Sequence, residues 1–184
     1  MRAPTSGKNR YEVFGPFPFP NDKSITHRKA LRQFWEERSK DGSPAGLCDA
    51  VGVYVWITKE NGTQLPWNVG ITSKQGFKGR FPQKEPGFLR LQRDRPKAEI
   101  EVYLLARRTK GGKFSRTNQK RLNDWLETLL IGSALRVNPA LRNAAKSKFL
   151  RTTVVDGYLN DRADKRSAAA ESFSAIFEQP RKRK

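Results

Sequence analysis

Gly52-Val53-Tyr54 lies in a short apolar segment, and Asn68-Val69-Gly70 lies in a second one sixteen residues on. Arg80 and Glu127 follow. A strand tyrosine, a basic residue and one carboxylate on a strongly basic chain are a set able to cut a phosphodiester. His27 is the only histidine. That excludes a histidine-pair metal site and a two-histidine nuclease, so the base of any such reaction must be Tyr, Lys or a carboxylate.

Composition agrees with a polyanionic partner. The 184 residues hold 37 Lys and Arg against 18 Asp and Glu, a net charge of +19 that favours nucleic acid over membrane. No apolar stretch is long enough to span a bilayer. Residues 1–10 lack the apolar region of a secretory leader. Cys48 is the single cysteine, so neither an internal disulfide nor a thiolate zinc site can form, and a cytoplasmic setting is expected.

The elements that must position these residues can be read along the chain. Residues 1–23 carry Pro4, Pro16, Pro18 and Pro20 and read as an irregular arm, with Phe14, Phe17 and Phe19 to pin it down. Ala30, Leu31, Phe34 and Trp35 form one helical stripe within about 26–38. Val51–Ile57 reads as a buried strand. Asn61-Gly62 signals a tight turn, and Trp67–Ile71 is the hairpin partner. Residues 98–106 alternate and give a third strand. Leu122, Trp125, Leu126, Leu129 and Leu130 mark a helix over 116–131 by their i, i+3, i+4 spacing. A last helix is expected over about 160–178, before a basic tail.

Alternation along strands predicts which side chains meet. Val51, Val53, Val55 and Ile57 share one face of the first strand, and that aliphatic face is expected to meet the core. Gly52, Tyr54, Asn68 and Gly70 then share the other, which reads as a shallow polar site cleared by two glycines. Glu127 has no cation among its helical neighbours, so its partner must be tertiary: an Arg or Lys, or a metal ion.

Taken together, these residues resemble the GIY-YIG endonuclease family. Gly52-Val53-Tyr54 is similar to its first motif and Asn68-Val69-Gly70-Ile71-Thr72 to its second. The run from Phe77 to Arg80 is similar to the segment of its arginine. Glu127 to Ile131 is similar to the segment of its metal-binding glutamate, and Leu141-Arg142-Asn143 to its asparagine segment. The resemblance implies an α+β fold with a small central three-stranded antiparallel sheet flanked by helices. The core spans 49–146. A basic arm and helix (1–48) precede it, and a helical extension with a basic tail (147–184) follows.

It also implies hydrolysis with one Mg²⁺ (or Mn²⁺). Tyr54 would be the general base, Arg80 would hold the phosphate, and Glu127 would bind the metal. Asn68 stands where the family has tyrosine, and Lys84 where it often has His or Tyr. Both are candidate catalytic residues, Asn68 through hydrogen bonding alone. Gly52, Gly70 and Asn143 would shape the site, and Glu99 and Glu101 are alternative ligands. Arg28, Lys29 and Arg32, with Arg107, Arg108, Lys110 and Lys113 on a mobile Gly111-Gly112 loop, would clamp DNA phosphates. The expected function is a DNA endonuclease of restriction, defence or mobile-element type, a homodimer if its target is palindromic. The alternatives are a catalytically silent binding module of the same fold and a basic RNA-binding structural protein.

Overall fold

A computed structural model describes residues 10–22, 24–72, 75–117, 120–142, 146 and 167–172. The chain divides into two compact units, Met1–Asn143 and Ala144–Lys184. The first contains β1 (Tyr11–Phe19), α1 (His27–Lys40), β2 (Gly52–Glu60), β3 (Thr63–Ile71), α2 (Phe77–Arg80), α3 (Glu85–Asp94), β4 (Glu99–Arg107) and α4 (Lys120–Val137). In the second, residues 168–172 are helical, and the Ala170 amide donates to Ser167 Oγ at 3.1 Å. The remainder of the helix expected over 160–178 lies outside the described residues.

The fold is α+β, but its antiparallel sheet has four strands, in the order β1-β4-β2-β3, not the expected three. The added strand is β1, where the prolines read as an irregular arm. Proline lacks an amide donor and is tolerated on an edge, where one side of the strand has no ladder to complete. β1 is such an edge, pairing with β4 from Tyr11↔Arg107 to Phe19↔Ile100. Its register shifts between Phe14 and Phe17, which accommodates Gly15 at φ 118° and the cis Gly15–Pro16 bond. Phe19 is buried, and Phe14 and Phe17 pack against the core as expected.

The β2–β3 hairpin turns at Asn61 (φ 51°) and Gly62 (φ 77°), the left-handed conformations an Asn-Gly turn requires. Both strands run longer than their apolar segments. A register shift between Trp56 and Ile57 meets Pro66 and leaves Trp67 as the extra residue.

The Tyr54 face is not a shallow polar surface. It is the main core. Tyr54 and Trp56 lie beside Leu104 and Val102 of β4 and are closed over by aromatic side chains from α1, α2 and α3. Phe81 is the hub of this cluster, with ring centroids 5.2 Å from Tyr54, 5.4 Å from Trp56, 5.3 Å from Trp35 and 6.0 Å from Phe34. Each such pair contributes about 0.5–1.5 kcal/mol beyond its buried area. The aliphatic Val53–Ile57 face is the second, thinner side. There α4 crosses, with Asn123 accepting a hydrogen bond from the Tyr11 hydroxyl.

The register of α4 also departs from expectation. Its buried residues are Asn123, Glu127, Ile131 and Ala134, while Trp125 and Leu129 are exposed. The helix runs through Gly132 to Val137. Counting apolar residues favoured the leucine stripe. The tertiary partners, a tyrosine hydroxyl and a cationic cluster, instead select the polar flank. The 107–113 segment is a tight turn: Arg108 bridges to Phe114, and the Thr109 amide donates to the Lys113 carbonyl at 2.7 Å. Among the described residues, no helix is long and apolar enough to cross a membrane.

Candidate functional site

Tyr54 sits on a central strand and pairs with Gly70 across the β2–β3 ladder. Its phenol lies flat over that glycine. A Cβ at position 70 would overlap Oη and Cζ and lie 2.8 Å from Cε2. Glycine at 70 is therefore a requirement of close packing, one reason glycine occurs within strands. The ring meets Phe81 edge-on and is fully buried, and its hydroxyl has no hydrogen-bond partner.

The segment after β3 brings the cations to this phenol. Thr72 and Gly52 exchange hydrogen bonds, with Gly52 N donating to Thr72 Oγ1 at 2.8 Å and Thr72 N to the Gly52 carbonyl at 2.9 Å. The Phe77 amide donates to the Ala50 carbonyl at 3.1 Å, and Gly76 lies so close to Asp49 backbone that any Cβ would clash. These contacts seat the start of α2 against the start of β2. Phe77 and Phe81, one helical turn apart, bury their rings and turn Arg80 and Lys84 toward Tyr54. The Lys84 ammonium lies 5.9 Å from the centre of the Tyr54 ring. The Arg80 guanidinium is hydrogen-bonded to Gln83, which donates to Gln75 at 3.0 Å. Glu127, on α4, is buried.

The electrostatics show these four groups acting on one another. Burial pushes the Tyr54 phenol well above its ordinary value. Arg80 opposes that shift, approaching the phenol without a well-formed hydrogen bond, and Glu127 adds to it. Burial, then Arg80, lowers the Lys84 ammonium, and Glu127 partly restores it. Tyr54, Arg80, Lys84 and Glu127, from three parts of the sequence, thus lie near enough to influence one another's charge.

Asn68 has a different setting. It pairs with Trp56, and its Nδ2 donates to the Arg142 carbonyl at 3.4 Å. It joins a brace in which Arg142 N donates to the Trp67 carbonyl at 2.9 Å and Asn138 Nδ2 to the Pro66 carbonyl at 2.7 Å. Gly52 sits beside Tyr54 on its strand, where a Cβ would strike the Leu105 carbonyl and Phe77. Asn143 lies outside the described residues. Glu99 pairs with Lys59 at 2.9 Å and Glu101 accepts from Gln64 at 2.9 Å, so each has a partner elsewhere on the sheet.

Arg28, Lys29 and Arg32 are exposed along α1, and Lys110 and Lys113 on the β4 turn. Arg108 is engaged by Glu12 at 2.9 Å and stacks on Phe114 at 4.3 Å, and Arg107 acts on the Tyr11 phenol. Sequence reasoning missed Phe81, Gln83 and Gln75. The i, i+4 spacing of Phe77 and Phe81 was the available signal for the first of these. No family model, curated protein or solved structure matches the chain.

Proposed function

We propose that the chain is a metal-dependent endonuclease that hydrolyses phosphodiester bonds in DNA. The observation that carries this reading is a buried tyrosine with Lys84 over its ring at 5.9 Å and with Arg80 and Glu127 near enough to act on its phenol. A core tyrosine serving only packing needs neither a lysine over its ring nor an arginine acting on its phenol, and an unsatisfied buried hydroxyl costs about 1–3 kcal/mol.

Among the described residues there is no group of three or more His, Cys, Asp or Glu able to hold a metal. The site does offer one buried carboxylate. Mg²⁺ is commonly held by one or two carboxylates, with water and substrate phosphate completing its shell. Glu127 therefore fits as the ligand of one Mg²⁺ (or Mn²⁺), which when bound would stabilise charge on the leaving oxygen.

The chain's own groups divide the remaining work. Arg80 would exchange Gln83 for the scissile phosphate, which a planar guanidinium can grip through two hydrogen bonds. The resemblance makes Tyr54 the base, yet burial keeps its phenol protonated. Its hydroxyl, closed from solvent by this packing, would orient the attacking water only once substrate opens the Phe81 side. Lys84, whose ammonium is lowered by the same burial, is the better proton acceptor.

Incubation of supercoiled plasmid with Mg²⁺ or Mn²⁺ tests the reading. Wild type should produce nicked or linear DNA, and Arg80→Ala and Glu127→Ala should slow this by at least about 100-fold while retaining DNA binding. Plasmid left intact by the wild type in both metals would sink the enzyme reading. It would favour a silent binding module, for which the closure of Tyr54 from solvent and the bracing role of Asn68 already speak.

A further inference from the structure

A groove of about 850 Å³ runs beside α1. Arg28, Lys29, Arg32 and Lys78 supply cations to its lining, against Glu36 as the one acid there among the described residues, which pairs with Arg32 at 3.7 Å. Leu31, Trp35 and Pro82 give it an apolar side. Trp35 is buried, and its indole Nε1–H has no hydrogen-bond partner.

The groove adjoins the candidate site through one ring. Phe81 contacts Trp35 on one side at 5.3 Å and Tyr54 on the other at 5.2 Å. The short helical segment from Phe77 to Lys84 contributes Lys78 and Pro82 to the groove, and Arg80 and Lys84 to the cluster. A strand whose phosphate lies at Arg80 would therefore pass the groove within a nucleotide or two.

We infer that this groove seats one or two unpaired nucleotides of the strand held at Arg80. The inference rests on the nuclease reading for its register but not for its ligand. The volume is within the roughly 300–1,000 Å³ range of sites that enclose small ligands. An intact duplex keeps its bases stacked and offers such a groove only phosphates. An unpaired nucleotide offers both parts the lining matches: a phosphate for the cations and a flat base for the apolar wall. Positive grooves with aromatic walls are the usual solution for single strands.

The test uses full-length protein with EDTA, so that no cleavage intervenes. Fluorescein-labelled decathymidine and a blunt duplex are titrated by anisotropy against wild type, Trp35→Phe and the surface triple variant Lys29→Ala/Arg32→Ala/Lys78→Ala. The triple variant should lose at least tenfold on decathymidine and less than threefold on the duplex. Its salt dependence on decathymidine should flatten, since each lost phosphate contact removes about 0.7 from the slope. Trp35→Phe, which keeps a ring, should lose about threefold to tenfold on decathymidine alone. An oligonucleotide carrying 5-iodouracil should crosslink within residues 26–36 or 78–82.

Equal losses on both DNAs, a larger loss on the duplex, or crosslinks elsewhere would overturn the inference. Groove binding with plasmid left intact would remove the nuclease reading and keep the groove. Plasmid cleavage with no oligonucleotide in the groove would do the reverse.

Discussion

Tyr54→Phe separates a catalytic hydroxyl from a structural one because stability and activity should move in opposite directions. The substitution keeps the ring, its edge-on contact with Phe81 at 5.2 Å and its place over Gly70. It deletes one oxygen that is fully buried and makes no hydrogen bond. Removing an unsatisfied polar atom returns part of its burial cost of about 1–3 kcal/mol. The small void left over Gly70 takes some of that back, at about 24 cal/mol per Å³. The net expectation is a gain of about 1 kcal/mol, a rise in Tm of roughly 2–8 °C for a domain of this size, with cleavage reduced at least about 100-fold. Urea titration followed by tryptophan fluorescence reads the first, and plasmid conversion the second. The same variant carries a pH signature. A phenol raised above its ordinary value of 10.0 gives stability that is complete below pH 10 and is lost as pH climbs toward the folded value. Wild type should therefore weaken above pH 10 more steeply than Tyr54→Phe. A loss of more than 1 kcal/mol in the variant would mean that the hydroxyl is bonded in the native protein, and the case for a functional tyrosine would fall with it.

Three further outcomes are expected. Gly70→Ala should cost about 1–3 kcal/mol by overpacking and lower cleavage, because its Cβ displaces the Tyr54 phenol; a fully active variant of unchanged Tm would refute the packing described. Phe81→Ala should cost about 3–5 kcal/mol in a denaturant titration, since four aromatic neighbours lose one shared ring. Lys84 fixes the direction of the pH–rate profile: if its amine accepts the proton, the rate rises with pH through a value below the ordinary 10.5, and Lys84→Met abolishes that limb. A rate falling with pH would make Lys84 a phosphate-holding cation instead.

Strand and turn chemistry was legible where it is local. Asn61-Gly62 specified its turn through φ alone, an apolar β-branched and aromatic run marked β2, its hairpin partner followed as β3, and alternation marked β4. The proline-rich β1 was not legible, because proline is excluded from a strand only when both sides must pair, and edge position is a property of the assembled sheet. The α4 register failed for a related reason. Its leucines define the more apolar flank, but burial follows what the sheet presents, and here Asn123 and Glu127 found partners.

The sequence by itself determined the charge, the lone histidine, the hairpin and the identity of Tyr54, Arg80, Lys84 and Glu127 as residues worth weighing together. Only the tertiary structure decided that Arg80 and Lys84 lie on the Tyr54 side, that Asn68 serves a brace at Arg142, and that the Tyr54 face is core. The physical reason is that side-chain alternation assigns residues to faces but does not say which face is covered. Coverage was set by Phe77 and Phe81, whose burial folds the segment after β3 onto Tyr54. That one packing event closes the phenol from water, lifts its pKa and brings Arg80 and Lys84 to its side of the sheet.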